Sequence, residues 1–298
     1  MKTKILFLGL ILSCFAISCG DDDSDNTTPA AISTDEAKVN AQIDQINDDV
    51  SDAVEREFDA TNNDAARASG ENSTSNAQRL GSTCATITRI PGFATALTPG
   101  TPVVKTIDFG IGCTLQNGNV LKGKIIISFT YQPDAASHTI IYSFDDFYHN
   151  NIKIAGDKTF TRTMSVATEQ SPSHPIVTMT MQLTATFPNA RVYTRTGTRT
   201  REMIEGYSTP LNILNDVHRI TGEWTTTYPN TSELNSEITT PLLVKMACFA
   251  VNKPLLVQGV ITFTRNDNTA TLDYGNGTCD NLAVYTINGN SYNIVIGN

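Results

Sequence analysis

Three arginines, Arg195, Arg199 and Arg201, share alternate positions of one run with Gly197, while Thr194, Thr196, Thr198 and Thr200 fill the positions between them. On an extended strand alternate side chains lie on one face, so the arginines form one row and the threonines another. Such a row suits the carboxylates or sulfates of a surface polysaccharide, because a guanidinium binds oxyanions through paired hydrogen bonds. It suits equally the acids of neighbouring strands, an arrangement common in antiparallel sheets. With 30 Asp and Glu against 21 Lys and Arg, the composition favours internal pairing.

The histidines, His138, His149, His174 and His218, fall into no His-Glu-x-x-His or His-x-His spacing. The sequence therefore offers no metal site, and each histidine reads as a surface or turn residue. There is no Gly-x-Ser-x-Gly elbow and no glycine loop ending in Lys-Ser/Thr, so the most direct signs of an acyl or phosphoryl enzyme are missing. No cofactor is expected. Asp145, Asp146, Glu202 and Glu205 are acids available for glycoside cleavage, which needs two carboxyls flanking the bond about 5–10 Å apart. Adjacent Asp145 and Asp146 would point to opposite faces of a strand, and solvated strand-edge charges are the simpler reading. Trp224, the only tryptophan, reads as core.

Beyond Cys14 and Cys19 four cysteines remain: Cys84, Cys113, Cys248 and Cys279. Ile107-Asp108-Phe109-Gly110-Ile111-Gly112-Cys113 and Leu272-Asp273-Tyr274-Gly275-Asn276-Gly277-Thr278-Cys279 share an aliphatic-Asp-aromatic-Gly-x-Gly form, and Asn-Gly-Asn follows each. Each motif cysteine lies a similar distance after another, which suggests two related units stapled as Cys84–Cys113 and Cys248–Cys279. A loop of roughly 30 residues is worth about 3–4 kcal/mol per bridge. Zinc is disfavoured by the lack of a Cys-x-x-Cys pair or a neighbouring histidine. A calcium reading of Asp108 and Asp273 is open in principle, but the spacing is not that of an EF-hand, and a tight disulfide-closed turn uses the same residues.

The elements that must carry these groups are one helix and many strands. Ser33 followed by Glu36 predicts a reciprocally capped helix start. Val39, Ile43, Ile46, Val50, Val54 and Phe58 then recur at steps of three and four as one apolar stripe on an otherwise polar helix. Residues 61–83, rich in Asn, Ser, Ala and Gly, read as a flexible linker. From Val103 onward Thr, Val, Ile, Tyr and Phe dominate between turn residues. Strands are expected at Val103–Phe109, Lys124–Tyr131, Thr139–Phe147, Lys158–Val166, Ile176–Phe187, Ala190–Ile204, Arg219–Tyr228, Leu255–Arg265 and Tyr285–Ile296, the last bending back at Asn288-Gly289. Gly123, Gly156, Gly222 and Gly259 open similar strand segments and suggest bulges that coil a sheet. The expected fold is mainly β: a long antiparallel meander forming a curled sheet, barrel or sandwich, preceded by one amphipathic helix against one face.

The chain opens with Lys2 and Lys4, an apolar run from Ile5 to Leu12, and small residues before Cys19. This is the layout of a secretory signal, and the apolar stretch is too short for a membrane span of about 20 residues. Ala16-Ile17-Ser18-Cys19 resembles a bacterial lipobox, with Ala where Leu is usual. Gly20-Asp21-Asp22-Asp23-Ser24-Asp25-Asn26 resembles the export signal that follows the lipidated cysteine in surface lipoproteins of the Bacteroidota. The resemblance covers only this start. It implies acylation of Cys19, an outer-membrane anchor and exposure at the cell surface; as a bare charge run, the same acids would be a solvated tether. Acyl chains contribute roughly 0.8 kcal/mol per buried methylene, so a multiply acylated cysteine holds the membrane durably. The implied organisation is a signal peptide at 1–18, a lipid-anchored acidic tether at 19–32, the helix at 33–60, the linker at 61–83 and a β domain at 84–298.

The formal net charge is −9 before the leader's two lysines are removed. An acidic chain with no basic run makes a poor nucleic-acid binder, since phosphate neutralisation supplies most of that affinity. The hydrophobic fraction of 40% is ordinary for a globular protein and allows a large core. Three functions are consistent with these features. The first is a non-enzymatic binding or structural role with a glycan or protein partner at the surface. The second is a periplasm-facing carrier of an apolar ligand, which asks inward positions of 176–187 and 190–204 to line an empty apolar cavity. The third is a surface glycan hydrolase.

Overall fold

The computed structural model describes residues 32–66, 84–115, 118–169, 171–209 and 212–296. The expected signal peptide, Cys19 and its acidic run lie outside these residues, as does the expected linker from 67 onward. One helix, α1 (Thr34–Ala66), comes first. At its start the Glu36 amide donates to Ser33 Oγ at 3.2 Å and the Ser33 amide donates to Glu36 Oε2 at 2.8 Å, the expected capping box. The helix runs on past residue 60 through positions where a linker was expected.

The strands are β1 (Thr86–Ile90), β2 (Thr101–Asp108), β3 (Cys113–Thr114), β4 (Val120–Tyr131), β5 (Ser137–His149), β6 (Ile152–Met164), β7 (Pro175–Thr186), β8 (Val192–Glu205), β9 (Val217–Thr227), β10 (Glu233–Lys245), β11 (Leu256–Arg265), β12 (Asn268–Asn276), β13 (Leu282–Ile287) and β14 (Asn290–Val295). They form a single 14-stranded antiparallel sheet in meander order, with only β3 off the path, beside β4. The sheet curls without closing into a barrel, and a sandwich is excluded because there is one sheet. The Asn288-Gly289 bend joins β13 to β14, as its hairpin signal indicates.

Alternation sets the two faces. On β7, Val177, Met179, Met181, Leu183 and Ala185 are buried while Thr178, Thr180 and Gln182 are exposed between them. Strands β1, β3, β10 and β12 are not among those the sequence pattern indicates. In β10 the reason is Pro241, which cannot donate to a ladder. The structure accommodates it where the register jumps between Ile238 and Leu243.

The helix is enclosed, not laid against one face. Its apolar stripe, Ile43, Ile46, Val50, Val54 and Phe58, is buried, but so are Asn40, Asp44, Asn47, Asp48, Ser51 and Glu57. Polar contacts from α1 reach Lys105 on β2, His149 on β5, Arg162 on β6, Arg195 on β8 and Arg265 on β11, and Ile32 just before the helix accepts from Tyr285 on β13. The sheet therefore wraps around the helix, and the core is the shared interior.

The four glycines mark where the sheet bends. Gly156 has φ of +109°, and a Cβ there would meet the Gln182 carbonyl oxygen at 2.1 Å. It lies opposite the register break between Ser143 and Phe147. Gly123, Gly222 and Gly259 sit at breaks between neighbouring strands in the same way, which is the coiling role expected of bulges.

The repeated cysteine motifs are repeated turns. Asp108 Oδ1 accepts from the Gly110 amide at 2.8 Å, and Asp273 Oδ1 accepts from the Gly275 amide at 2.8 Å. A carboxylate bonded to its own backbone two residues on sets a tight turn. Both motif cysteines are disulfide-bonded, Cys84 to Cys113 and Cys248 to Cys279.

Candidate functional site

The arginine row faces inward. Arg195, Arg199 and Arg201 are 1%, 2% and 6% exposed, and the oxyanions they bind belong to α1. Arg195 Nη1 and Arg199 Nη2 both donate to Asp44 Oδ1. Arg199 also lies 3.7 Å from Asp48, and Arg201 pairs with Glu55 at 2.9 Å and Asp52 at 3.3 Å. The match follows from pitch: four residues of helix rise about 6 Å, close to the 6–7 Å of two strand residues. Both guanidinium groups of Arg195 and Arg199 stack on Trp224, at 5.0 and 3.9 Å from its ring. The tryptophan is thus core, and it is the core that sandwiches charge. A polysaccharide would find these arginines covered.

 The expected partners sat on neighbouring strands, and the structure moves them onto the helix.

The other inward cations follow the same rule. Lys105 Nζ lies 2.5 Å from Glu57 Oε2, His149 Nε2 2.8 Å from Asp49, and Arg162 2.9 Å from Asp59. Lys158 Nζ donates to Asn47 Oδ1. Burial pushes the Asp48 carboxyl up to about 7, against the nearby Arg199. Burial, aided by Arg199, pushes Lys158 down to about 7. His149, His174 and His218 are buried, contrary to the expectation of surface or turn positions, because each has a polar partner inside the fold.

His174 has the outline of a catalytic group. Its Nδ1 lies 3.0 Å from Ser165 Oγ and 3.2 Å from Ser171 Oγ, and its Nε2 lies 2.8 Å from Glu202 Oε1. The same Nδ1 is 2.8 Å from the Pro172 carbonyl, which can only accept. Nδ1 therefore carries a proton there and is not free to take one from serine. Burial lowers the His174 pKa, but its hydrogen bonds to Glu202 and Pro172 outweigh that and leave it raised. The arrangement is an imidazolium clamp holding the β6–β7 connection to β8, with Arg219 2.5 Å from the other Glu202 oxygen. The register sets Glu202 level with Ile176, Thr163 and Ser137, at the far end of β5 from Asp145 and Asp146. Those acids pair outside with Lys124 and Lys153, so the expected hydrolase carboxylates do not converge.

The inward positions of β7 pack on α1, and those of β8 are the arginines. The space left between Val177, Met179, Phe160, Ile220 and the helix is about 10 Å³, at the lower limit for a single water. An acyl chain has no room there. Among the described residues no group of three His, Cys, Asp or Glu is placed to hold a metal ion.

A larger cavity, about 360 Å³, opens beside the second half of α1. The helix supplies Asp52, Glu55, Arg56 and Asp59, and the strand ends and connections supply Arg162, Met164, Pro175, Met203, Tyr207, Ile213, Asp216 and His218. Sequence reasoning missed this site, which is assembled from five separate segments with no shared motif. Most of its charges are paired: Arg56 with Asp52 at 2.6 Å, Arg162 with Asp59 at 2.9 Å, and Arg201 with Glu55. Two groups are not. The Asp216 carboxyl makes no hydrogen bond or ion pair among the described residues, and burial pushes it up to about 6. His218 is 2% exposed, and its Nδ1 accepts from Arg201 Nη2 at 3.0 Å. Its Nε2 is then the protonated nitrogen, and among the described residues the ring's hydrogen bond is the one at Nδ1. Burial, then Arg201 and Arg56, hold the ring's pKa well below the usual range, which keeps it neutral.

No protein-family profile, curated protein or solved structure matches the chain.

Proposed function

We propose that this chain is a lipid-anchored protein of the bacterial outer membrane, displayed at the cell surface, whose β unit binds or scaffolds and does not catalyse. The observation that carries the reading is the pair of disulfides, on a chain whose residues 1–18 read as an export leader ahead of Cys19. Such bridges persist in oxidising compartments outside the cytosol. The acidic residues after Cys19 support display, and the acylated cysteine is the membrane partner.

A binding role is supported by how the fold uses its charges. The strong cations of the interior are occupied by helix acids, and the serine–histidine–glutamate cluster is blocked at Nδ1 by the Pro172 carbonyl. The outer face offers hydroxyls: Thr161, Thr178, Thr200 and Thr221 align across β6 to β9. That face suits a polar glycan or protein surface.

Fractionation and protease shaving of intact cells, with a periplasmic protein as control, test this reading. The full chain is expected in the membrane fraction and is cleaved while the control survives, and Cys19→Ala is expected to release it from the membrane. A chain equally membrane-bound without Cys19, or protected until the outer membrane is broken, overturns the anchor or the display respectively.

A further inference from the structure

We propose that the cavity beside α1 is a binding site for a small organic ammonium ion that carries a hydrogen-bond acceptor on an apolar body. This deepens the binding role proposed above and rests on it. The cavity, at about 360 Å³, falls within the 300–1,000 Å³ range of small-ligand sites. Its apolar wall comes from Met164, Pro175, Met203, Tyr207 and Ile213.

The Asp216 carboxyl and the open Nε2 of His218 define what it takes. Asp216 contributes an acceptor and a negative charge, and His218 contributes one N–H. They stand two residues apart, so both point to one side of the extended chain at the start of β9. A ligand that satisfies both must bring a donor, best a cation, to Asp216 and an acceptor to His218 Nε2. The rest of the lining agrees in sign. Counting Arg201, which pairs with Asp52 and Glu55, the four acids Asp52, Glu55, Asp59 and Asp216 still outnumber the three arginines, while His218 is neutral. An anion would meet net repulsion, and a neutral molecule would leave the Asp216 charge unmet.

The Asp216 position is built. Gly206 has φ of +92°, and a Cβ there would meet Asp216 Oδ1 at 2.1 Å. Only glycine lets the carboxyl lie where it does. The backbone also fixes the aspartate, since its carbonyl accepts from the Met246 amide at 3.0 Å. A desolvated carboxyl without a partner is a cost to the fold, and such groups concentrate at sites that bind. His218 adds a second such group, almost wholly buried, on the same wall.

The test uses full-length protein, extracted from membranes in detergent, and a matched set of probes: tyramine, phenethylamine, 4-ethylphenol and 4-hydroxyphenylacetate. Calorimetric titration is expected to show tyramine binding, phenethylamine binding more weakly for want of the acceptor, and neither the neutral nor the anionic analogue binding. Asp216→Asn is expected to weaken tyramine at least about tenfold while raising the melting temperature, because it removes a charge that burial disfavours. A merely structural aspartate would not give that opposition. Tyr207→Ala, on the apolar wall, is the second variant and should weaken every amine. Failure of both amines to bind at about 1 mM, equal binding of 4-hydroxyphenylacetate, or undiminished tyramine binding by Asp216→Asn overturns the proposal. Those failures leave membrane anchoring through Cys19 intact, which cell fractionation judges separately.

Discussion

Asp44 shows how the charged interior is held. It is wholly buried and takes Arg195 and Arg199 together, with the Tyr274 hydroxyl at 3.3 Å from its other oxygen. Removing one partner of a buried pair typically costs about 3–5 kcal/mol, because the remaining charge is left in a medium that cannot solvate it. Lys158 is the opposite case, a buried amine with a neutral amide as its hydrogen-bond partner. Burial brings its pKa down from the ordinary 10.5 to about 7 on folding. Between these values the unfolded chain binds more protons than the folded one, so stability rises as pH rises from about 7. Asp48 works in the other direction, since its folded value of about 7 lies above 3.8 and its contribution falls as pH rises between the two. Urea midpoints for the native chain are therefore expected to increase from pH 7 to pH 9, and Lys158→Met is expected to flatten that rise. An unchanged slope in the variant would show that Lys158 is not its source.

At the scale of elements the sheet depends on strands that bend where they lack side chains. Gly156→Ala places a methyl against the Gln182 carbonyl, an overlap expected to cost about 1–3 kcal/mol. Thermal melting would register it, and a variant as stable as the native chain would mean the bend is not needed there. These bends were legible in the sequence, because glycines recur in similar segments. The strands with clean alternation were legible too, and β7 is an example. Strand β10 was not, because Pro241 interrupts its pattern. The helix was legible as an element but its surroundings were not. Its stripe accounts for one packed side, and nothing local says that Asp44, Asp48 and Glu55 meet arginines about 150 residues later. A hint lay in parity: Lys105 sits between Val103 and Ile107, and Lys158 two residues before Phe160, all at inward positions. A cation at an apolar position of a strand signals a buried acid elsewhere. The cavity had no such signal, since Asp216 and His218 matter only for what they fail to contact.

For the whole molecule, helix and sheet are each incomplete. Without α1 the inner face would present Lys105, Lys158, Arg195, Arg199 and Arg201 unpaired in an apolar trough. A chain lacking residues 33–66 is thus expected to collect in the insoluble fraction, where the full chain is soluble in detergent and shows β-sheet circular dichroism. A folded, soluble deletion product would refute that dependence.

The enclosure also sets an order in time. Tyr285 donates to the carbonyl of Ile32 across 253 residues, and Arg265 reaches Glu36 across 229. The helix is among the first segments to leave the ribosome, and the strands that finish its surroundings are among the last. Contacts so distant along the chain form slowly, so the helix waits for its last partners until the end of the chain has been made. A product ending before β13 would lose the Tyr285 bond to Ile32 and leave the start of its first helix uncovered.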